Sequence, residues 1–269
     1  MCTQIKIPWR NQHLIGSIHF PDSYLNKSNV SYPLIIICHG FTSSRIGVDR
    51  LFVKSANQLT AESCIVVRFD YSGCGESEGN YGNSGLDELI EQTIDVIEFC
   101  SGIDKVDSNK VTLLGHSLGG ATALLTAVRD IRVKQLILWS AVANPYEDIA
   151  KIVGMNNLRN LEKSTSIDYL GYSFSEKYFN SLRKFHPLEE AKKFKGDVLI
   201  IHGTDDKDIP VHYCHSYEKE FLLRAKDGSC TKQIIHGANH TYSSSAHFKQ
   251  LMDTTKKWIN DKIMIEQFV

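Results

Sequence analysis

The chain has 269 residues, of which 42% are hydrophobic and 23% are charged, and its formal net charge is −1. This length is sufficient for one large α/β domain with a sizeable core. Because the near-neutral charge provides no basic field, we expect neither nucleic acid nor a membrane surface as a partner. The N-terminus lacks the apolar stretch of a signal peptide, and no apolar run approaches the roughly 20 residues of a membrane span.

Seven cysteines are spread widely along the chain, and their number is odd. No C-x-x-C pair indicates a zinc or redox site. Several cysteines lie inside apolar runs, where a free thiol behaves as a small hydrophobic side chain. We therefore expect a reduced, cytoplasmic protein.

Short apolar runs alternate with amphipathic segments. The runs HLIGSIHF, PLIIICHG, SCIVVRFD, KVTLLGHS, KQLILWSA, GDVLIIHG and TKQIIHG predict strands, the first half-exposed and the second buried on both faces. Apolar residues spaced i, i+3, i+4 predict a helix within 84–101, and ATALLTAV, YEKEFLLRA and FKQLMDTTKKWI show further helical patterns. Strands that alternate with helices indicate an α/β fold with a mostly parallel sheet and helices on both faces.

One connection is much longer than the others. More than 50 residues, about 141–195, separate KQLILWSA from GDVLIIHG, although a usual βα connection has only a few. Within a single domain spanning 1–269, we predict that this insertion forms a lid over the C-terminal edge of the sheet. The alternative is an insertion whose aromatic side chains simply pack on the body. These aromatic residues are Tyr146, Tyr169, Tyr172, Phe174, Tyr178, Phe179 and Phe185.

A serine lies between two glycines just after the fourth apolar run. Gly115-His116-Ser117-Leu118-Gly119 fits the pattern G-x-S-x-G, in which the serine occupies a strained turn from strand to helix and exposes its hydroxyl. Such a turn brings residues two positions away into close contact, and glycine has no Cβ to clash. The alternative is a glycine-rich turn with an ordinary serine. We predict that Ser117 is a nucleophile.

A serine nucleophile needs a base within hydrogen-bond reach and an acid that orients this base. With this motif, the acid and then the histidine follow the serine along the chain, each after a strand. The loop after GDVLIIHG carries three competing carboxylates, Asp205, Asp206 and Asp208. A solvated turn is the alternative for all three.

The segment KQIIHGANHTY offers two histidines after the last predicted strand. His236 directly continues the apolar run, which is typical of a strand end. His240 lies in the following loop, from which it can swing toward Ser117, so we predict that His240 is the base. The remaining downstream histidines fall in or next to predicted helices, where a structural role is usual: His212, His215 and His247.

The oxyanion that forms when serine adds to a carbonyl group needs two hydrogen-bond donors. One predicted donor is the backbone N–H of Leu118, the residue after the nucleophile. The other is the N–H of Phe41 in the loop CHGFTSSR, which follows an apolar run. The alternative role for His39-Gly40 in this loop is a tight exit from the strand.

The segments HGFTSSR, VRFDYSGCGESEG, LLGHSLGG, IIHGTDD and GANH together resemble an α/β-hydrolase serine esterase. Within that superfamily the chain is most similar to bacterial cinnamoyl and feruloyl esterases, which are grouped with serine aminopeptidase-like hydrolases. The resemblance implies an α/β-hydrolase fold with an eight-stranded, mostly parallel sheet and a lid after the sixth strand. It favours Asp206 as the acid, through H-G-x-x-D-x-x-(hydrophobic)-P, with Asp208 as the alternative. The pattern G-A-x-H supports His240.

The resemblance implies hydrolysis of a small-molecule carboxylic ester by Ser117, Asp206 and His240, with no metal or organic cofactor. It also implies that the insertion shapes the acyl or phenolic pocket, where aromatic residues favour short or aromatic acyl groups. A thioesterase, peptidase or acyltransferase with the same triad is an alternative, as is a non-catalytic ligand-binding protein on this fold. The oligomeric state stays open, with a homodimer as one alternative.

Overall fold

The computed structural model describes residues 1–26, 30–159, 161, 164–224 and 228–264. The strands are β1 (Cys2–Trp9), β2 (Gln12–His19), β3 (Tyr32–Cys38), β4 (Ile65–Phe69), β5 (Val106–His116), β6 (Val133–Trp139), β7 (Ser166–Tyr169), β8 (Tyr172–Ser175), β9 (Asp197–Gly203) and β10 (Cys230–Ile235). The α-helices are α1 (Leu51–Ala61), α2 (Leu86–Ser101), α3 (Leu118–Ala127), α4 (Pro145–Val153), α5 (Met155–Arg159), α6 (Glu176–Leu182), α7 (Pro187–Ala191), α8 (His212–Leu222) and α9 (Ser245–Ile259).

Eight strands form one sheet in the order β1-β2-β4-β3-β5-β6-β9-β10. β2 pairs antiparallel with both β1 and β4, and every other neighbouring pair in this sheet is parallel. The predicted α/β fold with a mostly parallel, eight-stranded sheet is thus confirmed. β7 and β8 form a separate antiparallel hairpin.

Helices cover both faces of this sheet, which is why its central strands are continuous apolar runs. All seven residues of β3 are buried. Leu34 and Ile36 point into the larger core, which contains residues of α2 and α3, whereas Ile35 and Ile37 point into a second core with α1 and α9. Because the strands are parallel, their carboxyl ends meet at one edge of the sheet, and the connecting loops converge there.

The prediction that β2 is half-exposed was wrong. Its last six residues, 14–19, are all buried. Arg45 and Arg68 cover its polar face: Arg45 Nε donates to the Ser17 hydroxyl (3.3 Å) and Arg68 Nε donates to His19 Nε2 (3.1 Å). β1, which the apolar pattern did not reveal, pairs along the whole of β2.

The segment between β6 and β9 contains α4, α5, the β7–β8 hairpin, α6 and α7. Its aromatic side chains are unequally buried. Phe174, Tyr178 and Phe179 lie in the larger core, while Tyr169 is only half-buried against it. Much of this segment is therefore part of the core of the domain.

All seven cysteines are free thiols, and five of them are buried. Burial raises the pKa of Cys38 and Cys64 to about 12, so these side chains are neutral and act as small apolar groups. In the described ranges, no helix combines the length and the apolar character that crossing a bilayer requires.

Candidate active site

Ser117 occupies the sharp turn between β5 and α3. Its backbone has φ 59° and ψ −125°, a conformation that a residue with a side chain adopts only at a cost. Hydrogen bonds to the end of β6 and to the loop after it hold it there: the N–H of Ser117 donates to the carbonyl of Trp139 (3.0 Å), and its carbonyl accepts from the N–H of Val142 (3.0 Å). The backbone of G-x-S-x-G is therefore the strained turn that the motif predicts.

Two glycines allow the loop after β3 to approach this turn. A Cβ on Gly119 would lie 2.2 Å from the carbonyl oxygen of Cys38, and a Cβ on Gly40 would lie 3.0 Å from the Cβ of Ser117. The loop that carries Phe41 consequently lies against the serine. Within the described residues, neither the N–H of Phe41 nor that of Leu118 donates to a protein acceptor. Both amides are therefore available to an added oxygen atom.

Asp206 and His240 come from the loops after β9 and β10 and meet directly. His240 Nδ1 lies 2.8 Å from Asp206 Oδ2, and the Asp206 side chain is completely buried. The other carboxylate oxygen, Oδ1, accepts from the N–H groups of Asp208 (3.0 Å) and Ile209 (2.8 Å). Asp205 and Asp208 are exposed. Among the three competing carboxylates, Asp206 is thus the one that contacts a histidine predicted to act as the base.

Ser117 and His240 line the same small cavity, of about 80 Å³. Its other walls come from the loop after β3, the start of α1, the end of β5 and the loop of His240: Gly40, Phe41, Ser43, Val48, Leu51, Phe52, His116 and Thr241. None of the described residues of 141–195 lines it. His236, in contrast, is exposed. The structure therefore brings together Ser117, His240, Asp206 and the loop of Phe41 at the carboxyl edge of the sheet.

His202 and His116, for which no sequence motif predicted a role, contact Asp206 and the backbone of His240. His202 Nε2 lies 3.1 Å from Asp206 Oδ2 and 3.1 Å from the carbonyl oxygen of Ile209. His116 Nε2 donates to the carbonyl oxygen of His240 (2.8 Å). These contacts hold the two loops in place.

His39 holds the loop of Phe41 in place in the same way, through hydrogen bonds of its ring. Its Nδ1 donates to the carbonyl of Gly40 (2.8 Å), and its Nε2 accepts from the N–H of Tyr71 (3.1 Å). These partners require the neutral tautomer with the proton on Nδ1. His39, His116 and His202 share one sequence signal, a histidine at the carboxyl end of a central apolar run.

The charges at this edge are set by burial and hydrogen bonding. Burial of Asp206 raises its pKa, but hydrogen bonds from His202 and His240 outweigh this effect and hold the pKa well below its usual range. Burial lowers the pKa of His116 to about 3, helped by the nearby ring of His240. At neutral pH Asp206 is therefore ionised and His116 is neutral.

Asp206, Asp208 and His240 also bring one metal-ligating atom each within 4.8 Å of one another. However, Asp206 Oδ1 is occupied by two backbone N–H groups and Oδ2 by two imidazoles. His240 Nδ1 is one of these two imidazole contacts, so it is not available to a metal ion either. The donor set thus fits a hydrogen-bonded acid–base pair, and it does not fit a metal site.

The lowered pKa of His116 makes stability depend on pH. The unfolded chain takes up a proton near the ordinary value of 6.5, whereas the folded chain does so only near 3. We expect this group to remove about 1–2 kcal/mol from the free energy of unfolding between pH 7 and pH 5. Urea unfolding at both pH values measures this loss. His116→Asn should flatten the dependence, and the exposed His236→Asn should not; equal slopes in parent and His116→Asn would contradict the assignment.

Residues 31–166 match the family model described as serine aminopeptidase, S33. An "uncharacterized 31.7 kDa protein in traX-finO intergenic region" of Escherichia coli is 35% identical over 86% of this chain and 92% of its own length. The lysophosphatidylserine lipase ABHD12 of Xenopus tropicalis is 28% identical over 70% of this chain and 47% of its own length.

Solved structures share the fold. Est1E from Butyrivibrio proteoclasticus, with ferulic acid bound, superposes with a TM-score of 0.81 at 24% identity, covering 97% of this chain and 99% of Est1E. Mouse alpha/beta hydrolase domain-containing protein 10 superposes with a TM-score of 0.71 at 17% identity, covering 96% of this chain and 99% of its own. The predicted resemblance is thus confirmed: the chain belongs to the serine aminopeptidase S33 family and is a hydrolase with the α/β-hydrolase fold.

Proposed function

We propose that this hydrolase cleaves carboxylic esters with Ser117 as nucleophile, His240 as general base and Asp206 as the acid that orients the base. The observation that carries the proposal is the contact of His240 Nδ1 with buried Asp206, 2.8 Å away, on the wall of the cavity that also contains Ser117. Because Nδ1 is engaged by the carboxylate, Nε2 is the ring nitrogen left to take the serine proton.

In this mechanism, Ser117 Oγ adds to the ester carbonyl carbon while His240 Nε2 accepts its proton. Asp206 keeps the imidazole in the required tautomer and stabilises the imidazolium that forms. The N–H groups of Phe41 and Leu118 donate to the oxyanion of the tetrahedral intermediate. His240 then protonates the leaving alcohol. A water molecule, deprotonated by His240, cleaves the acyl-enzyme and regenerates Ser117.

The three buried histidines at the carboxyl ends of β3, β5 and β9 have positioning roles. His116 fixes the carbonyl of His240, His202 donates to the carboxylate of Asp206, and His39 fixes the carbonyl of Gly40 next to Phe41. Preorganised donors cost no reorganisation during the reaction, which is why rigid support of these loops favours catalysis.

The size of the cavity supports short-chain esters as substrates. A volume of about 80 Å³ is well below the 300–1,000 Å³ typical of pockets for drug-sized ligands. Hydroxycinnamoyl esters are the second candidate, favoured by aromatic rings that surround Phe41 and by the ferulic acid bound to Est1E. We propose a small-molecule ester as the partner, a cytoplasmic location and the segment 141–195 as the cap of the acyl side of the site.

The length of the acyl group in the ester provides the test of this substrate class. With p-nitrophenyl esters from acetate to laurate, we expect kcat/KM to be about tenfold or more higher for the short esters, because a long chain exceeds the volume of the cavity and must displace its walls to enter. A hydroxycinnamate ester and an aminoacyl amide complete the panel. Preference for laurate would contradict the short-chain proposal, and preference for the amide would indicate a peptidase.

Val48 and Ile46 provide a matched pair for the same assay. Both are exposed apolar residues on the loop before α1, at 55% and 47% exposure, but only Val48 lines the cavity. Val48→Ala should shift the optimum toward longer esters, and Ile46→Ala should leave it unchanged. The same shift in both variants would mean that the cavity does not select the substrate.

A further inference from the structure

Phe41 connects the candidate active site with the segment 141–195. Its N–H group is a proposed oxyanion donor, while its ring contacts the segment 141–195. The centroid of this ring lies 5.1 Å from Phe174, 6.0 Å from Tyr169 and 6.0 Å from Tyr178. The ring of Tyr81, from the loop before α2, is 6.2 Å away. We call these five residues the aromatic cluster.

The cluster has a rigid base and a half-buried side. Tyr81, Phe174 and Tyr178 are buried, and the hydroxyl of Tyr178 donates to that of Tyr81 (3.1 Å). Tyr169, the last residue of β7, is half-buried and stacks on Phe41 with an interplanar angle of 25°. Among the four residues that surround Phe41, Tyr169 is therefore the one that can be changed with the smallest effect on the core.

The backbone around Phe41 is strained. Thr42 has φ 50°, which is a genuine outlier for a β-branched residue, and Gly40 lies in tight contact with Ser117. Strained backbone persists only where its surroundings over-determine it. His39 fixes the carbonyl of Gly40 by a hydrogen bond, so the preceding residue is held. Phe41 itself is held through its ring, besides a hydrogen bond from the adjacent Thr42 hydroxyl to its carbonyl (2.8 Å).

We propose that the aromatic cluster positions the N–H of Phe41 toward the oxyanion, with Tyr169 as a positioning residue. The segment 141–195 then acts on the chemical step through the ring of Phe41. Removing one oxyanion donor typically costs about 10²–10³-fold in kcat, and a donor that is displaced and not lost costs a part of this. The inference rests on the proposed esterase mechanism.

The experiment compares Tyr169→Ala with Tyr169→Phe and Tyr146→Ala. Tyr169→Phe keeps the stacked ring, and Tyr146 is an aromatic residue of the same segment whose ring contacts Arg183, outside the cluster. Active-site titration with a fluorophosphonate corrects each preparation for its active fraction. For p-nitrophenyl acetate, Tyr169→Ala should lower kcat by about tenfold and leave KM within about twofold. The two other variants should match the parent.

A pair of inhibitors separates positioning from substrate contact. A trifluoromethyl ketone adds to serine and places its oxyanion between the two donors, whereas the matching methyl ketone binds without a stable adduct. For Tyr169→Ala we expect the Ki of the trifluoromethyl ketone to rise about tenfold, with no change for the methyl ketone. Equal changes for both ketones, or a change in KM alone, would show that Tyr169 contacts substrate and overturn the inference, as would parental values throughout. Ester turnover by Ser117→Ala would instead refute the mechanism itself.

Discussion

Ser117→Ala should lower kcat/KM for ester hydrolysis by about 10⁴–10⁶-fold, the range seen when the nucleophile of a triad is removed. Without the hydroxyl, no acyl-enzyme forms, and only water attack assisted by the remaining oxyanion donors and substrate binding is left. Alanine retains a Cβ and accepts the backbone of the elbow, with φ 59°, about as poorly as serine does. We therefore expect a folded protein, which circular dichroism checks before the kinetics with p-nitrophenyl acetate.

Ser43→Ala is the matched control, because Ser43 lines the same cavity as Ser117. Its removal should change kcat/KM by no more than about threefold, which is typical for a residue outside the chemical step. If Ser117→Ala kept ester turnover while Ser43→Ala lost it, the assigned nucleophile would be wrong.

Asp206→Asn should lower kcat by about 10³–10⁴-fold with a smaller effect on the fold. The asparagine oxygen can still accept from the N–H groups of Asp208 and Ile209, which bond to Oδ1 in the parent. Its NH₂ group would then face His240 Nδ1 and donate to it, which reverses the tautomer and leaves Nε2 protonated. The buried negative charge that stabilises the imidazolium is also lost.

The neighbouring carboxylates provide the comparison for this variant. Asp205 and Asp208 are exposed, and neither side chain contacts His240 through a hydrogen bond in the described part of the chain. Asp205→Asn and Asp208→Asn should therefore reduce kcat/KM by no more than about threefold. Severe loss in Asp208→Asn together with mild loss in Asp206→Asn would move the acid two residues along the loop.

The central strands could be predicted because burial on both faces removes polar residues from them. PLIIICHG and GDVLIIHG became β3 and β9 for this reason. The sharp turn at Ser117 could be predicted because the approach of Cys38 to Gly119 leaves no room for a Cβ. The geometry of the turn therefore requires glycine at a fixed distance from the serine in the sequence. Asp206 needed the family pattern, since three carboxylates on one exposed loop look alike until the fold buries one of them.

Other features depend on contacts that no local pattern encodes. β1 has a largely exposed face and was not recognised as a strand, and the burial of β2 depends on the distant residues Arg45 and Arg68. α1 was also missed. The aromatic residues of 141–195 were consistent with two predictions, a lid and an insertion that packs on the body of the domain. Their burial with Phe41 depends on where the β7–β8 hairpin folds back, which a single sequence does not reveal.

The catalytic assignment is tested most directly by identifying the residue that a fluorophosphonate modifies. After labelling of the parent protein, peptide mass spectrometry should locate one phosphonyl adduct, on Ser117. Ser117→Ala should show no adduct and no ester turnover. His240→Ala should be labelled much more slowly, because the attacking hydroxyl has lost its base. An adduct on another serine, in a Ser117→Ala variant that still hydrolyses esters, would contradict the proposed mechanism.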